Sequence, residues 1–477
     1  MQGRWIAMAA LLVAGFMNLI DITIVNVALP SMQVAFGATD SQIEWVVAVY
    51  ILVFALFLLP AGRMGDVLGR RRMFIAGVIV FTIGSALCGM APSIEALVAA
   101  RVLQGIGGAM MTPQTLAIVP ALFPPRERGL AFALFGLSAG LASVTGPVLG
   151  GLLIGADLWG MDWRPIFLVN VPVGVLAVVV ALRYVPVLPG GQGLKFDYVG
   201  IVLAAATMLM VLFPLIEGRQ LGWPIWCFAM IAGALVVALI FGLWERRQAH
   251  IGAAQLVPAA LFADKNFVVG TGLVMLIFAG MPGFFLVLAL LLQVGNGLTP
   301  LQSGLTVLPF SIGVLIASAV SGKLGLRWPR KRIAFGGVCL ALGMFALGFV
   351  VPETGEKLSR IAFFLPLIVA GIGLGSAISP LFQTVLAVAG GRDAGSASGA
   401  LQSFQQVGGA LGLAVMGEVF FSSLRSRLSA GGDPVGAYSD ALQNALIFNT
   451  ITFLSVAVLV WLLPRPGSAS AYVPVVE

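Results

Sequence analysis

Two opposite charges sit where charge is expensive. Asp21 falls inside an apolar run at 5–28, and Arg101 inside another at 93–118. A charge at the centre of a membrane-spanning helix costs about 2.5–3.5 kcal/mol on insertion scales, so each needs an offset. A carboxylate can bind a proton or pair with a cation. If both runs are spanning helices, Asp21 lies roughly 12 Å below the helix end near Pro30, and Arg101 roughly 12 Å below the start near Ser93. Matching depths make a couple. At 4 Å and an effective dielectric near 20 the attraction is about 4 kcal/mol, enough to hold the acid ionised until its partner moves. That chemistry is proton binding and release. The plainer readings are a polar residue wetting an outer vestibule and, for the pair, a static brace between helices.

Uncharged polar residues in the same and other apolar runs are candidates to line a substrate path: Asn18 and Asn26 beside Asp21, Gln104 and Gln114 after Arg101, and Gln402, Gln405 and Gln406 in the run 395–420, whose start also holds Ser396, Ser398 and Ser403. A basic hairpin between the second and third runs carries Gly62, Arg63, Gly65, Asp66, Gly69, Arg70, Arg71 and Arg72. Its arginines fit a topology signal. Asp66, a lone acid flanked by glycines at a helix end, can instead accept from backbone N–H groups of a neighbouring helix and latch two halves together. In the fifth run, Gly146, Pro147, Gly150 and Gly151 put a helix-bending proline among close-packing glycines, either ordinary tight packing or a flexing seam between halves. Glu418 and Glu217 fall near outer helix ends and read as interfacial and solvated, and Glu245, Arg246 and Arg247 as a solvated helix end.

Other chemistries have little to work with. His250 is the only histidine and falls in a connection, so no metal site or cofactor is expected. The glycine clusters at 105–108 and 371–375 lie inside apolar runs with no preceding strand, which argues against nucleotide loops, and there is no Walker A pattern. No nucleophile–base set suggests an enzyme.

These residues are carried by a chain that is 60% hydrophobic and 9% charged. A spanning helix needs roughly 20 mostly apolar residues, and about fourteen such runs are present, apolar on all sides rather than alternating as barrel strands do. The expected fold is an all-α polytopic membrane protein. The first run is too long, and too polar with Asn18, Asp21 and Asn26, for a cleavable signal. With a cytoplasmic N-terminus, most of the 26 Lys and Arg residues fall on cytoplasmic connections. The net charge of +7 therefore marks topology in a bilayer and not nucleic-acid binding. Both termini are then cytoplasmic. Cys88, Cys227 and Cys339 lie in apolar runs and read as core residues.

The basic hairpin recurs 260 positions later, from Gly322 to Arg332, without a gap, and Arg126–Gly129 is echoed by Arg392–Gly395. The chain is thus two six-helix repeats plus a two-helix insertion, with boundaries at 1–185, 186–265 (a flexible linker at 186–195 and the inserted pair) and 266–477. Duplicated multi-helix units are how secondary transporters are commonly built.

Together these motifs resemble the major facilitator superfamily, and within it the fourteen-helix drug:proton antiporter branch. Asp21 to Pro30 resembles that branch's first-helix signature, and Gly62 to Arg72 the superfamily's loop after the second helix. Arg101, Gln104, Gly105 and Gly107 resemble the fourth-helix motif, and Gly146 to Gly151 the antiporter motif of the fifth. Trp163 to Gly174 and Gln405 to Gly412 match further stretches, so the resemblance spans essentially the whole chain. Two departures stand out: Val67 where a basic residue is usual, and Leu326 where the second copy would repeat Asp66. The resemblance implies a proton-driven exporter of lipophilic, neutral or monocationic small molecules in a bacterial inner membrane. Asp21 and Arg101 would couple protons. The chain lacks the tenth-helix acid of relatives associated with dications. A monomer is expected, its partners being amphipathic substrate, protons and lipid. A dedicated exporter of one metabolite or lipid, and a subunit that needs a periplasmic adaptor, stay open. External connections are short, the longest expected at 421–442, and would offer an adaptor little to dock on.

Overall fold

A computed structural model describes residues 2–188, 190–191, 194–219, 221–325, 327–353, 359–390, 392–431 and 433–464. No strand occurs among the described residues. Fourteen long helices follow in order: α1 (Gln2–Phe36), α2 (Asp40–Leu68), α3 (Arg70–Gly89), α4 (Ile94–Leu122), α5 (Pro125–Gly155), α6 (Asn170–Tyr184, entered through the short helix Pro165–Leu168), α7 (Tyr198–Glu217), α8 (Ile225–His250), α9 (Lys265–Leu290), α10 (Pro300–Leu324), α11 (Pro329–Glu353), α12 (Phe364–Ala387), α13 (Ala394–Ser429) and α14 (Pro434–Leu459). Among the described residues, thirteen helical segments are long and apolar enough to cross a membrane. The remaining long helix, α5, has 31 residues, of which Thr145–Gly155 form a shorter apolar stretch.

The duplication has a structural signature that the hairpins alone did not reveal. A capping box opens α2, with Thr39 and Gln42 exchanging hydrogen bonds, and another opens α10 with Thr299 and Gln302. The two boxes are again 260 positions apart. Helix contacts repeat too. A Cβ on Gly62 of α2 would meet the Gly395 carbonyl oxygen of α13 at 2.4 Å, and one on Gly129 of α5 would meet the Gly322 carbonyl oxygen of α10 at 3.0 Å. Small residues let backbones touch in lipid. The first six and last six long helices therefore meet along two equivalent glycine contacts, α2 on α13 and α5 on α10.

Helix α7 packs on α2 and α13, with Leu212 buried against Leu52 and Ala55. Helix α8 rests on α7 and leaves Leu235, Val236 and Leu239 exposed, a lipid-facing pattern.

Several expectations change in detail. Helix α1 runs through Pro30 to Phe36, because the residues past the proline still bury Met32. Asp21 thus lies roughly 22 Å from that helix end. The 421–442 stretch is not a long loop: α13 continues to Ser429 and α14 starts at Pro434, tied by an Arg427–Asp440 ion pair at 2.9 Å. Glu245 is not solvated. It is buried and accepts from Leu256 N at 3.0 Å, folding the following connection back on α8. The linker before α7 is docked where it is described, with Gly191 N donating to Asp66 O at 2.9 Å. Pro189 falls outside the described residues. All three cysteines are free and buried.

Candidate functional site

Asp21 and Arg101 meet. Both are 0% exposed, and Arg101 Nη1 donates to Asp21 Oδ2 at 2.5 Å. The other carboxylate oxygen, Oδ1, accepts from Gln104 Nε2 at 2.7 Å and from Asn170 Nδ2 at 3.5 Å. Gln104 and Asn170 also donate to Ser85 Oγ, at 3.1 and 2.9 Å, and Ser85 donates to the Phe167 carbonyl. Arg101 Nε donates to the Val46 carbonyl at 2.9 Å, and Nη1 also reaches Gln104 Oε1 at 2.7 Å. Its Nη2 has no hydrogen-bond partner, but the Tyr50 ring lies 4.0 Å from the guanidinium carbon. A desolvated cation–π contact is worth roughly 2 kcal/mol. Removing each ion from water costs several kcal/mol, so the couple depends on this full set of partners.

Glycines make the approach possible. A Cβ on Gly84 of α3 would strike the Gln104 backbone at 2.8 Å, and one on Gly107 of α4 the Phe81 nitrogen at 2.3 Å, so α3 and α4 lie in backbone contact.

Tyr50 extends the network. Its hydroxyl donates to Asn18 Oδ1, and Asn18 Nδ2 donates to Thr112 Oγ1 at 3.3 Å. Asn18 and Thr112 line a cavity of about 220 Å³ built from α1, α2, α4 and α5 on one side and α9, α10, α12 and α13 on the other. Six phenylalanines wall it: Phe54, Phe135, Phe278, Phe285, Phe310 and Phe382. Gln402, Gln405 and Gln406 present one face of α13 to it. Among the described residues, none that lines it is ionisable. A cation entering would forfeit hydration worth several kcal/mol and regain roughly 0.5–2 kcal/mol per ring face.

The remaining path candidates lie elsewhere. Gln104 belongs to the charge couple. Gln114 donates to the Ala61 carbonyl at 2.9 Å and braces α4 on α2 at Gly65, where any side chain would overlap it. Asn26 is exposed and bonds back to Ile22 O. Ser396 and Ser398 serve the contact between α13 and the first six helices, Ser398 donating to the Pro113 carbonyl at 2.7 Å.

At the hairpin, Asp66 accepts at Oδ1 from Gly395 N at 2.8 Å and at Oδ2 from Ser396 N at 2.7 Å and Ser396 Oγ at 2.9 Å. These are first-turn groups of α13, so a carboxylate from α2 caps the positive end of a helix in the other half. Arg70 Nη2 holds the same carboxylate at 2.9 Å. Beside it Arg63 pairs with Asp393 at 3.3 Å. Burial and the nearby Asp66 carboxylate push the Asp393 carboxyl above its usual range, against the pull of Arg63 and Arg392. Gly69 has φ +99°, where a side chain would be strained, and Arg71 donates to the Leu182 carbonyl. Leu326, the second-copy counterpart of Asp66, falls outside the described residues.

Of the two alternatives for the fifth-helix glycines, Gly146 and Gly150 show the contacts of tight packing. A Cβ on Gly146 would meet Thr23 Oγ1 at 1.9 Å, and one on Gly150 would meet Ile24 Cγ1 at 3.0 Å. Gly146 and Gly150 thus seat α5 on α1 within the first six helices. Pro147 lies between them, and Gly151 faces open space. The contact of α5 with the second half lies nearer its start, where Ser379 Oγ donates to the Gly129 carbonyl at 2.9 Å.

The family-model description "Major Facilitator Superfamily" matches residues 11–196 and again 197–413. The chain belongs to the major facilitator superfamily. Its relatives in that family include the probable actinorhodin transporter of Streptomyces coelicolor, 38% identical over 90% of this chain and 75% of the relative. The multidrug resistance protein Stp of Mycobacterium tuberculosis is 34% identical over 87% and 75%. The puromycin resistance protein pur8 of Streptomyces alboniger is 32% identical over 96% and 91%. Among solved superfamily structures, the proton:xylose symporter XylE matches with a TM-score of 0.64 at 14% identity, over 96% of this chain and 95% of that one. That likeness concerns the fold alone.

Proposed function

We propose that this superfamily member is a proton-coupled antiporter that exports lipophilic, neutral or monocationic small molecules. The observation that carries the reading is the buried Asp21–Arg101 couple, joined through Tyr50 and Asn18 to a charge-free cavity between the two sets of six helices. Asp21 exchanges the proton and Arg101 holds the emptied carboxylate. Units at about 1–185 and 266–477, with α7 and α8 inserted at 186–265, rock about the cavity. Asp66 acts as the latch that favours one closed arrangement. Relatives named for drug resistance and antibiotic export support the direction of transport. The chain sits in a bacterial inner membrane with both termini cytoplasmic, in keeping with the placement of its Lys and Arg residues.

The relative named as a probable actinorhodin transporter favours a narrower second version, a dedicated exporter of one metabolite. Purified protein in liposomes tests the main reading. An imposed proton gradient should drive substrate uphill, and substrate should drive protons the other way. Substrate movement that ignores the gradient overturns proton coupling.

A further inference from the structure

The cavity's chemistry narrows the substrate beyond neutral or monocationic; this step rests on reading that cavity as the substrate path. Three observations bear on it. First, no acid or base lines it among the described residues, and the deep charges Asp21 and Arg101 are fully buried and spent on each other, on Gln104 and on the Tyr50 ring. A charged guest finds no counter-ion. Second, the walls are aromatic: Phe310, itself fully buried, holds Phe285 edge to face with ring centroids 5.2 Å apart, and Phe285, Phe278 and Phe135 are only partly buried, so their rings can take a stacked guest. Third, Gln402 lines the cavity at 5% exposure and its Nε2 has no hydrogen-bond partner. It is the one lining residue with a buried, unpartnered side-chain polar atom among the described residues, and that atom is a donor. A buried donor without an acceptor is costly, so the guest that fits must bring one.

We infer that the cavity selects neutral, flat aromatic molecules that carry a carbonyl oxygen, and that Gln402 Nε2 donates to that oxygen. The substrate's rings stack among the phenylalanines, while Gln405 and Gln406 on the same face of α13 meet its remaining polar edge. The volume, about 220 Å³, lies below the roughly 300 Å³ floor usual for drug-sized sites and suits a compact ring system.

A matched pair of probes tests this. N-methylacridone and N-methylacridinium share one three-ring skeleton. The first is neutral with a carbonyl, and the second is a permanent cation. Both fluoresce, so anisotropy reads their binding to the full chain in lipid nanodiscs, with empty nanodiscs as the blank. N-methylacridone should bind at least about tenfold tighter. Gln402→Leu should weaken it about tenfold and leave N-methylacridinium unchanged, since a lost hydrogen bond is worth about that factor. Equal or tighter binding of the cation to the unaltered protein overturns the inference, and that comparison needs no variant to fold. Unchanged N-methylacridone affinity in Gln402→Leu overturns the role of Gln402. Because the measurement uses no gradient, a failure of proton coupling in liposomes leaves it standing, and the reverse also holds.

Discussion

The Tyr50 hydroxyl donates to Asn18 Oδ1 while the face of the same ring lies 4.0 Å from the guanidinium carbon of Arg101. One side chain thus touches the wall of the cavity and the charge couple behind it. On the proposed mechanism, a guest that draws Asn18 or Thr112 toward itself would pull on Tyr50, and through the ring on the cation that holds Asp21.

Tyr50→Phe isolates that connection. Phenylalanine keeps the ring under Arg101 and removes only the bond to Asn18. Probe affinity should change less than about threefold, whereas substrate-driven proton release should fall about tenfold, and the melting temperature should drop by an amount matching about 1–3 kcal/mol for the orphaned acceptor. Wild-type proton release in this variant would show that Tyr50 is packing alone.

Asp21→Asn should abolish proton release while probe binding persists, because an amide matches the protonated acid in shape and holds no exchangeable acid proton. It also leaves Arg101 buried without a counter-charge, at a cost of about 3–5 kcal/mol. Adding Arg101→Gln removes that orphan, so the double variant should melt closer to wild type than either single variant. A double variant less stable than both, or an Asp21→Asn protein that still releases protons, contradicts the assignment.

Asp66→Asn keeps a similar shape but replaces one acceptor oxygen with a donor facing N–H groups of α13. Export should fall several-fold with protein level intact, since the loss is a contact of about 1–3 kcal/mol between helices already held by glycine packing. Unaltered export reduces the hairpin to a topology signal.

Asp393 gives a pH test. Burial and the Asp66 charge raise its folded-state pKa, so its ionisation opposes folding. The stability linked to its protonated form is complete below the unfolded value, near 3.9, and is lost as pH rises through the folded one. Asp393→Asn should therefore gain in melting temperature relative to wild type between pH 4 and pH 7. A gain that shrinks over that interval reverses the sign and refutes the argument.

Much of this was legible in the sequence because apolar runs, repeated hairpins and charges in lipid are strong signals. Opposite charges deep in two apolar runs pointed Asp21 at Arg101, although the equal distances from the helix ends did not hold, being roughly 22 Å for Asp21 and roughly 11 Å for Arg101, and Asp66 stood out as the lone acid of its hairpin. Other features need three dimensions. Asn170 sits in a stretch singled out only by resemblance. The available hint for Tyr50 was a hydroxyl in the middle of an apolar run, where it must find a partner. Gln114 and Gln402 have the same chemistry and comparable depth, yet one braces a helix and the other lines the cavity, a difference set by which face of each helix turns inward. Pro30 misled because a proline does not stop a helix whose following residues still have a surface to cover.

The twin glycine contacts have a kinetic corollary. At Gly62 and Gly395 the touching backbones are flanked by a carboxylate that takes three hydrogen bonds from the opposite helix, and at Gly129 by the single bond from Ser379 to its carbonyl. Symmetry in shape without symmetry in adhesion makes the two contacts yield at different loads. On the proposed rocking motion, separation is then expected to begin at α5 and α10 and end at α2 and α13, a sequence of events and not a single parting.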